Sequence, residues 1–236
     1  MESLEKKLSL VVIFVFFSLS IFAQNSLFAP NSKISIKMWS LLEGNPLAQK
    51  TTNANEEFYS SSVRKIKKIA PYVFEGMIFG FDFDYVPLDK TRNVQEFFSV
   101  DFSRSNYTNH KDFVKQISYR NPYFEDDCLI CWADFSLTSD ISLRLSQRNS
   151  VMLKKACGKG CGKLIDSEKG IQDAFENAIK NAVRSYAQTI SKNKPKEIRG
   201  TVIINKEPRI YIQHGQYIVD VEFLIEKLDI QNYTTF

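Results

Sequence analysis

Histidine is nearly absent: His110 and His214 are the only two in 236 residues. One stands in a polar stretch and the other in a turn-like one, so neither has the setting of a general base. The chain holds no G-x-S-x-G to mark a nucleophile elbow and no H-E-x-x-H to place two zinc ligands on one helix face. A phosphate loop is missing as well. Three residues lie between Gly158 and Gly162 where a P-loop has four, and Leu164 stands where Ser or Thr would hold magnesium. The net charge of +4 is too small to indicate a nucleic-acid partner. After the N-terminal segment, no apolar run approaches the roughly 20 residues of a membrane span. These absences lean against an enzyme. They leave no catalytic residue to name and no cofactor or bound metal to expect.

The N-terminus is the first positive signal. Lys6 and Lys7 precede an apolar run from Leu8 to Phe22, followed by the polar Gln24-Asn25-Ser26. As a helix this run reaches roughly 22 Å, short of a bilayer core of about 30 Å. It has the proportions of a signal-peptide core, with Ile21 and Ala23 at the −3 and −1 positions of a cleavage site. Residues 1–23 are therefore read as a signal peptide and 24–236 as a single exported domain; two subdomains meeting near 100–115 are the alternative division. The destination is the periplasm, the cell envelope or the exterior, with no membrane span after cleavage. An uncleaved N-terminal anchor is the alternative.

Nineteen phenylalanines and ten tyrosines indicate a folded, strand-rich domain. Alternation predicts an edge strand over 32–39, with Ile34, Ile36 and Met38 on one face. Helical spacing of Phe58, Val63, Ile66, Ala70, Val73 and Met77 predicts an amphipathic helix with Asn55 as its cap. Pro71 kinks or restarts it, and Gly76 is the expected stop. A strand is predicted over 77–86, then a short helix over 94–102. Strands are predicted, irregularly, over 115–124, and then over 127–138 and over 140–147, the last two as a hairpin through Thr138-Ser139-Asp140. Asp126-Asp127 reads as a turn. A second helix follows, with Ile171, Phe175, Ala178, Ile179, Ala182, Val183, Tyr186 and Ile190 as its stripe and Asp166 or Ser167 as its cap. Three strands close the chain, the last two joined at His214-Gly215. Helices before tightly connected strands give an α+β fold, antiparallel sheets packed against two amphipathic helices.

The most distinctive patch is Lys154-Lys-Ala-Cys-Gly-Lys-Gly-Cys-Gly-Lys163. In an exported chain, four cysteines read as two disulfides among Cys128, Cys131, Cys157 and Cys161, with at least one bridge crossing between the two pairs. On this reading 154–163 is a stapled basic loop before the second helix. The alternative is a zinc-stabilised domain using all four thiolates. Asp82 and Asp84 share a strand face and could serve a small-ligand site or a hydrolase; a solvated strand face is the plainer reading. Arg64, Lys65, Lys67 and Lys68 on the first helix, with Lys154, Lys155, Lys159 and Lys163, could present a surface to an envelope protein or an anionic polymer. Asn106 and Asn232 match the glycosylation acceptor pattern. The function expected from all this is a non-catalytic binding or structural domain outside the cytoplasm.

Overall fold

Strand Lys154–Lys163 (β6) is the residue pattern that organises the molecule. Ala156, Gly158, Gly160 and Gly162 point inward and are buried, while Lys155, Cys157, Lys159, Cys161 and Lys163 are exposed. The inward residues must be small. A Cβ added at Gly158 would lie 2.0 Å from the carbonyl oxygen of Ala178, at Gly160 2.1 Å from that of Ala174, and at Gly162 1.8 Å from that of Gly170. Those partners belong to helix α4 (Ser167–Ile190), whose stripe Gly170, Ala174, Ala178 and Ala182 repeats every four residues. Two residues of strand advance about 6.7 Å and four of helix about 6 Å, so the two small-residue rows stay nearly in step. The helix backbone thereby lies flush on the strand.

The computed structural model describes residues 33–42, 54–101, 110–149, 152–190 and 193–233. The signal segment 1–23, the capping side chain of Asn55, Phe58, Asn106 and His110 fall outside the residues or side chains described. Sheet B contains β2 (Phe81–Val86), β3 (Phe97–Asp101), β6, β7 (Glu197–Ile204), β8 (Arg209–Gln213) and β9 (Gln216–Gln231), in the order β3-β2-β7-β9-β6 with β8 also on β9. β6 and β7 both pair with residues 223–225 of β9, so they occupy its opposite edges. β8 pairs with 216–220, where β6 takes one edge, so β8 lies on the same edge as β7. The pair β7–β8 is thus one long strand interrupted at 205–208. Sheet A has the order β1-β5-β4, from β1 (Lys33–Leu41), β4 (Ile117–Glu125) and β5 (Cys128–Ser136). Every pairing in both sheets is antiparallel. The α+β class, with two long helices on antiparallel sheets, is as the sequence predicts.

Helix α1 (Ala54–Ile78) lies between the sheets, touching β1 and β5 on one side and β7 on the other. Its second half is buried almost all round, as a helix sandwiched in a core must be. Phe74 meets Phe135 of β5 with ring centroids 5.4 Å apart, and Tyr72 meets Phe175 of α4 at 5.1 Å. Phe113 of the short helix α2 (His110–Lys115) closes on Phe135 at 4.7 Å. Phe74, Phe113, Phe135 and Phe175 are almost fully buried, each contributing about 1.5–3 kcal/mol by transfer from water. Both sheets feed one continuous apolar cluster. No helix among the described residues is long and apolar enough to cross a membrane.

Several predicted boundaries move. The first helix continues through Pro71 and past Gly76 to Ile78. Gly76 is small for another reason: a Cβ there would meet the Phe81 ring at 2.5 Å. The stop is Gly80, with φ +78°; its N–H and that of Phe79 both donate to the Glu75 carbonyl. The strand predicted over 77–86 therefore begins only at Phe81. Within it, Phe81, Phe83 and Tyr85 face inward as expected. The helix expected over 94–102 is instead strand β3, whose Phe98 packs on Phe83 and Tyr85. The strand expected over 140–147 is helix α3 (Ser139–Asn149). Thr138 caps it through both its carbonyl and its hydroxyl, and Ile141, Leu145 and Arg148 turn inward while Leu143 stays exposed. Apolar residues at 141, 143 and 145 match a strand period, but only 141, 145 and 148 are used. The hairpin lies between β4 and β5 instead, through Asp126 and Asp127, both at positive φ.

Replacing Gly160 by Ala should cost about 1–3 kcal/mol or more, because a methyl group collides with helix backbone that cannot swing aside. Replacing the outward Cys161 by Ser should stay within about 0.5 kcal/mol. Urea unfolding of the two variants, at adjacent positions of one strand, measures the difference.

Candidate functional site

Sheet A and sheet B meet at β1 and β8, and a cleft of about 630 Å³ opens between them. Neither facing edge is paired with another strand among the described residues. The Lys37 N–H points away from β5, and donates to Glu207 Oε1 at 2.7 Å. Strand alternation then directs the backbone groups of Ser35 and Trp39 the same way. On the other side, the two-residue loop at His214-Gly215, with φ +51° and +70°, sets the register of β8 on β9. That register leaves Ile210 and Ile212 with their backbone groups directed outward. The Ile210 carbonyl accepts the indole N–H of Trp39 at 3.1 Å. Two side chains thus span the gap that separates the strands. The floor is apolar, from Ile69 of α1, Ile171 of α4 and Tyr217 of β9, and Lys37, Arg209, Glu125 and Glu207 stand at its margin.

The outer face of sheet A adjoins this cleft and carries both tryptophans of the chain. The register places Trp39 opposite Ile130 and Lys37 opposite Trp132. Lys37 Nζ lies 5.8 Å from the Tyr123 ring centre, and the Arg120 guanidinium 5.4 Å from that of Trp132. The hydrogen bond to Tyr123 raises the Lys37 pKa. Asp134 anchors the far end of the face. Its Oδ2 accepts Arg120 Nε at 2.6 Å and Lys33 Nζ at 3.0 Å, and the side chain is 8% exposed. The Arg120 bond, more than any other contact, holds this carboxyl well below the usual carboxylate range.

Of the candidate site residues singled out by sequence, Cys128 alone lines the cleft; the others lie elsewhere. Asp82 and Asp84 sit on the outer face of β2, away from the cleft. Asp82 accepts the Thr201 hydroxyl at 2.5 Å, and Asp84 pairs with Arg199 at 3.2 Å. The stapled loop is strand β6, and all four cysteines are free thiols. Cys157 and Cys161 are about 13 Å apart along their strand and Cys128 and Cys131 about 10 Å along theirs, beyond the roughly 7 Å a disulfide spans. No three His, Cys, Asp or Glu side chains among the described residues converge as a metal would require, so the four-cysteine zinc arrangement does not form. Burial raises the pKa of Cys131; it does the same for Cys128, with help from Asp126, Asp127 and Glu125.

The basic surface divides in two. Arg64 and Lys67 are exposed on α1, but Lys65 is buried and Lys68 bonds Glu168 of α4 at 2.5 Å. Lys155 and Lys159 lie on the opposite side of sheet B. Lys155 pairs with Glu222 at 3.2 Å, and Lys159 sits over Tyr211 at 5.7 Å. Helical spacing alone put Lys65 on the outer face, because a period cannot reveal that α1 is enclosed on two sides.

Sequence reasoning missed the cleft because its parts come from β1, β8, β9 and two helices. The one local signal was the edge-strand pattern of β1, which had no partner in view.

At neutral pH Asp134→Asn should be less stable than the parent. Because the folded pKa of Asp134 is depressed, its contribution is full above the unfolded value near about pH 4 and fades as pH falls below it. The parent should therefore lose more stability than the variant between pH 6 and pH 3, as read by urea midpoints at each pH.

A protein-family model matches residues 23–233. An uncharacterized protein of Treponema pallidum (strain Nichols) is 26% identical over 203 residues, spanning 86% of this chain and 83% of that protein. No solved structure matches the chain. Neither match brings an activity with it; the chain belongs to the family whose model spans residues 23–233, and so nearly the whole of both sheets and their helices.

Proposed function

We propose that this chain is an exported protein of the periplasm, envelope or exterior, and that its domain binds a partner in the β1–β8 cleft without catalysing a reaction. The observation that carries the binding role is the cleft itself: apolar at its floor, charged at its margin, and of the size of a ligand site. The signal-like segment 1–23 supports export, and the family match begins beside the expected cleavage point. A hydrolase at Asp82 and Asp84 is not favoured, because Thr201 and Arg199 already engage those carboxylates on an open sheet face.

An apolar fluorophore whose emission rises in a dry environment should bind the folded domain saturably, at one site. Ile210→Asp should weaken that binding by about tenfold or more, with the circular dichroism unchanged. Equal binding by the variant, or none by the parent, would remove the cleft as the site. Export is tested separately by N-terminal sequencing of the protein from its own cells, where a mature chain should begin at Gln24.

A further inference from the structure

We infer that the occupant of the cleft is an extended segment of another polypeptide, inserted as a strand between β1 and β8; the inference rests on the cleft being a binding site. The two walls are the edges of two separate sheets. Each presents backbone groups that a strand could pair with: Ser35, Lys37 and Trp39 on β1, Ile210 and Ile212 on β8. Facing edges are rare because an exposed edge invites uncontrolled pairing, and proteins usually cover it. Here β6 shows the covered form. Asn177 and Asn181 of α4 donate to the outward carbonyls of Cys161 and Lys159 at 2.9 and 2.8 Å. At the cleft the cover is lighter. The Glu207 carboxylate stands where a strand's carbonyl would accept the Lys37 N–H, and the Trp39 indole stands where a strand's N–H would reach Ile210. Both are single side chains: Glu207, from the interruption at 205–208, is exposed, and Trp39, from a strand edge, is partly buried against the core. Carboxylate and indole together mimic one acceptor and one donor of an extended chain.

The chemistry of the partner follows. Main-chain bonds supply affinity and are indifferent to sequence, while alternate side chains supply selectivity. Residues turned toward Ile69, Ile171 and Tyr217 should be apolar, and their neighbours, turned to solvent, polar. The contacts Lys37–Glu207 and Trp39–Ile210 advance in the same sense along both strands. An inserted segment is therefore antiparallel to both edges or parallel to both.

A strand held on two sides has a distinctive signature, since alternate residues direct their backbone groups to opposite edges. Random octapeptides displayed on phage would be panned against the immobilised domain, and enriched sequences synthesised in three forms: unmodified, N-methylated at odd positions, and N-methylated at even positions. The unmodified peptides should compete with the apolar fluorophore, and each methylated set should bind about tenfold or more weakly, because each removes the donors to one edge. Glu207→Ala and Trp39→Phe should tighten binding severalfold by freeing the Lys37 amide and the Ile210 carbonyl. Insensitivity to either methylated set would overturn insertion between two edges. So would a fluorophore that binds and is displaced by no peptide. Failure of the fluorophore to bind at all would instead strike the cleft as a site.

Discussion

The closeness of α4 to β6 is the constraint on which the rest of the structure depends. Three glycines and an alanine on the strand face one glycine and three alanines on the helix, and helix carbonyls occupy the space that strand side chains would fill. No side chain fits at Gly158, Gly160, Gly162 or Gly170 without a backbone shift. The contact gains little hydrophobic area per residue, but it seats the helix at one height and one angle on the sheet. Close backbone approach also lets the helix carbonyls meet the strand's Cα–H groups, a weak favourable contact repeated along the row. The asparagines at 177 and 181 then secure the strand's outer edge.

From that seat the other placements follow. With α4 fixed, Phe175 and Glu168 determine where Tyr72 and Lys68 of α1 can rest. With α1 fixed, Phe74 positions Phe135 and so sheet A. Sheet A therefore reaches sheet B through a helix, without continuing it by strand pairing. The cleft is the seam left by this indirect connection. It persists because α1 holds the sheets apart at the depth of a helix, while Trp39 and Glu207 only bridge its mouth.

The outer faces of both sheets are charged. On sheet B, Asn205, Lys155 and Lys206 all engage Glu222 and hold its carboxyl below the usual range. Both faces also set cations on aromatic rings, Lys159 on Tyr211 in sheet B and Lys37 on Tyr123 and Arg120 on Trp132 in sheet A. The alternating lysines and cysteines of β6 are the remainder of a pattern set by the other face: the inward positions had to be small, and the outward ones were under no packing demand.

Much of the fold was legible in the residues alone. The α4 stripe, the alternation of β2 from Phe81 and the hairpin at His214-Gly215 were readable because each is a local period or turn whose physics acts within a few residues. The C-terminal strands were readable likewise. The failures were of two kinds. Residues 140–147 fit both periods, and the Thr138 cap with the inward turn of Ile141, Leu145 and Arg148 decided for helix. Residues 154–163 had alternation too, but glycine is a poor strand former by itself, and its value appears only when a helix backbone comes within contact. The sequence by itself determined most of the periods, the turns at 126–127 and 214–215, the class of fold and an N-terminal segment with the form of an export signal. Only the tertiary structure decided that the cysteines stand apart, that Lys65 is enclosed, and that two strand edges face each other across a cleft. The enclosure of Lys65 and the facing edges are contacts between residues far apart in the chain, and the separation of the cysteines follows from strand geometry that helix α4 imposes on 154–163.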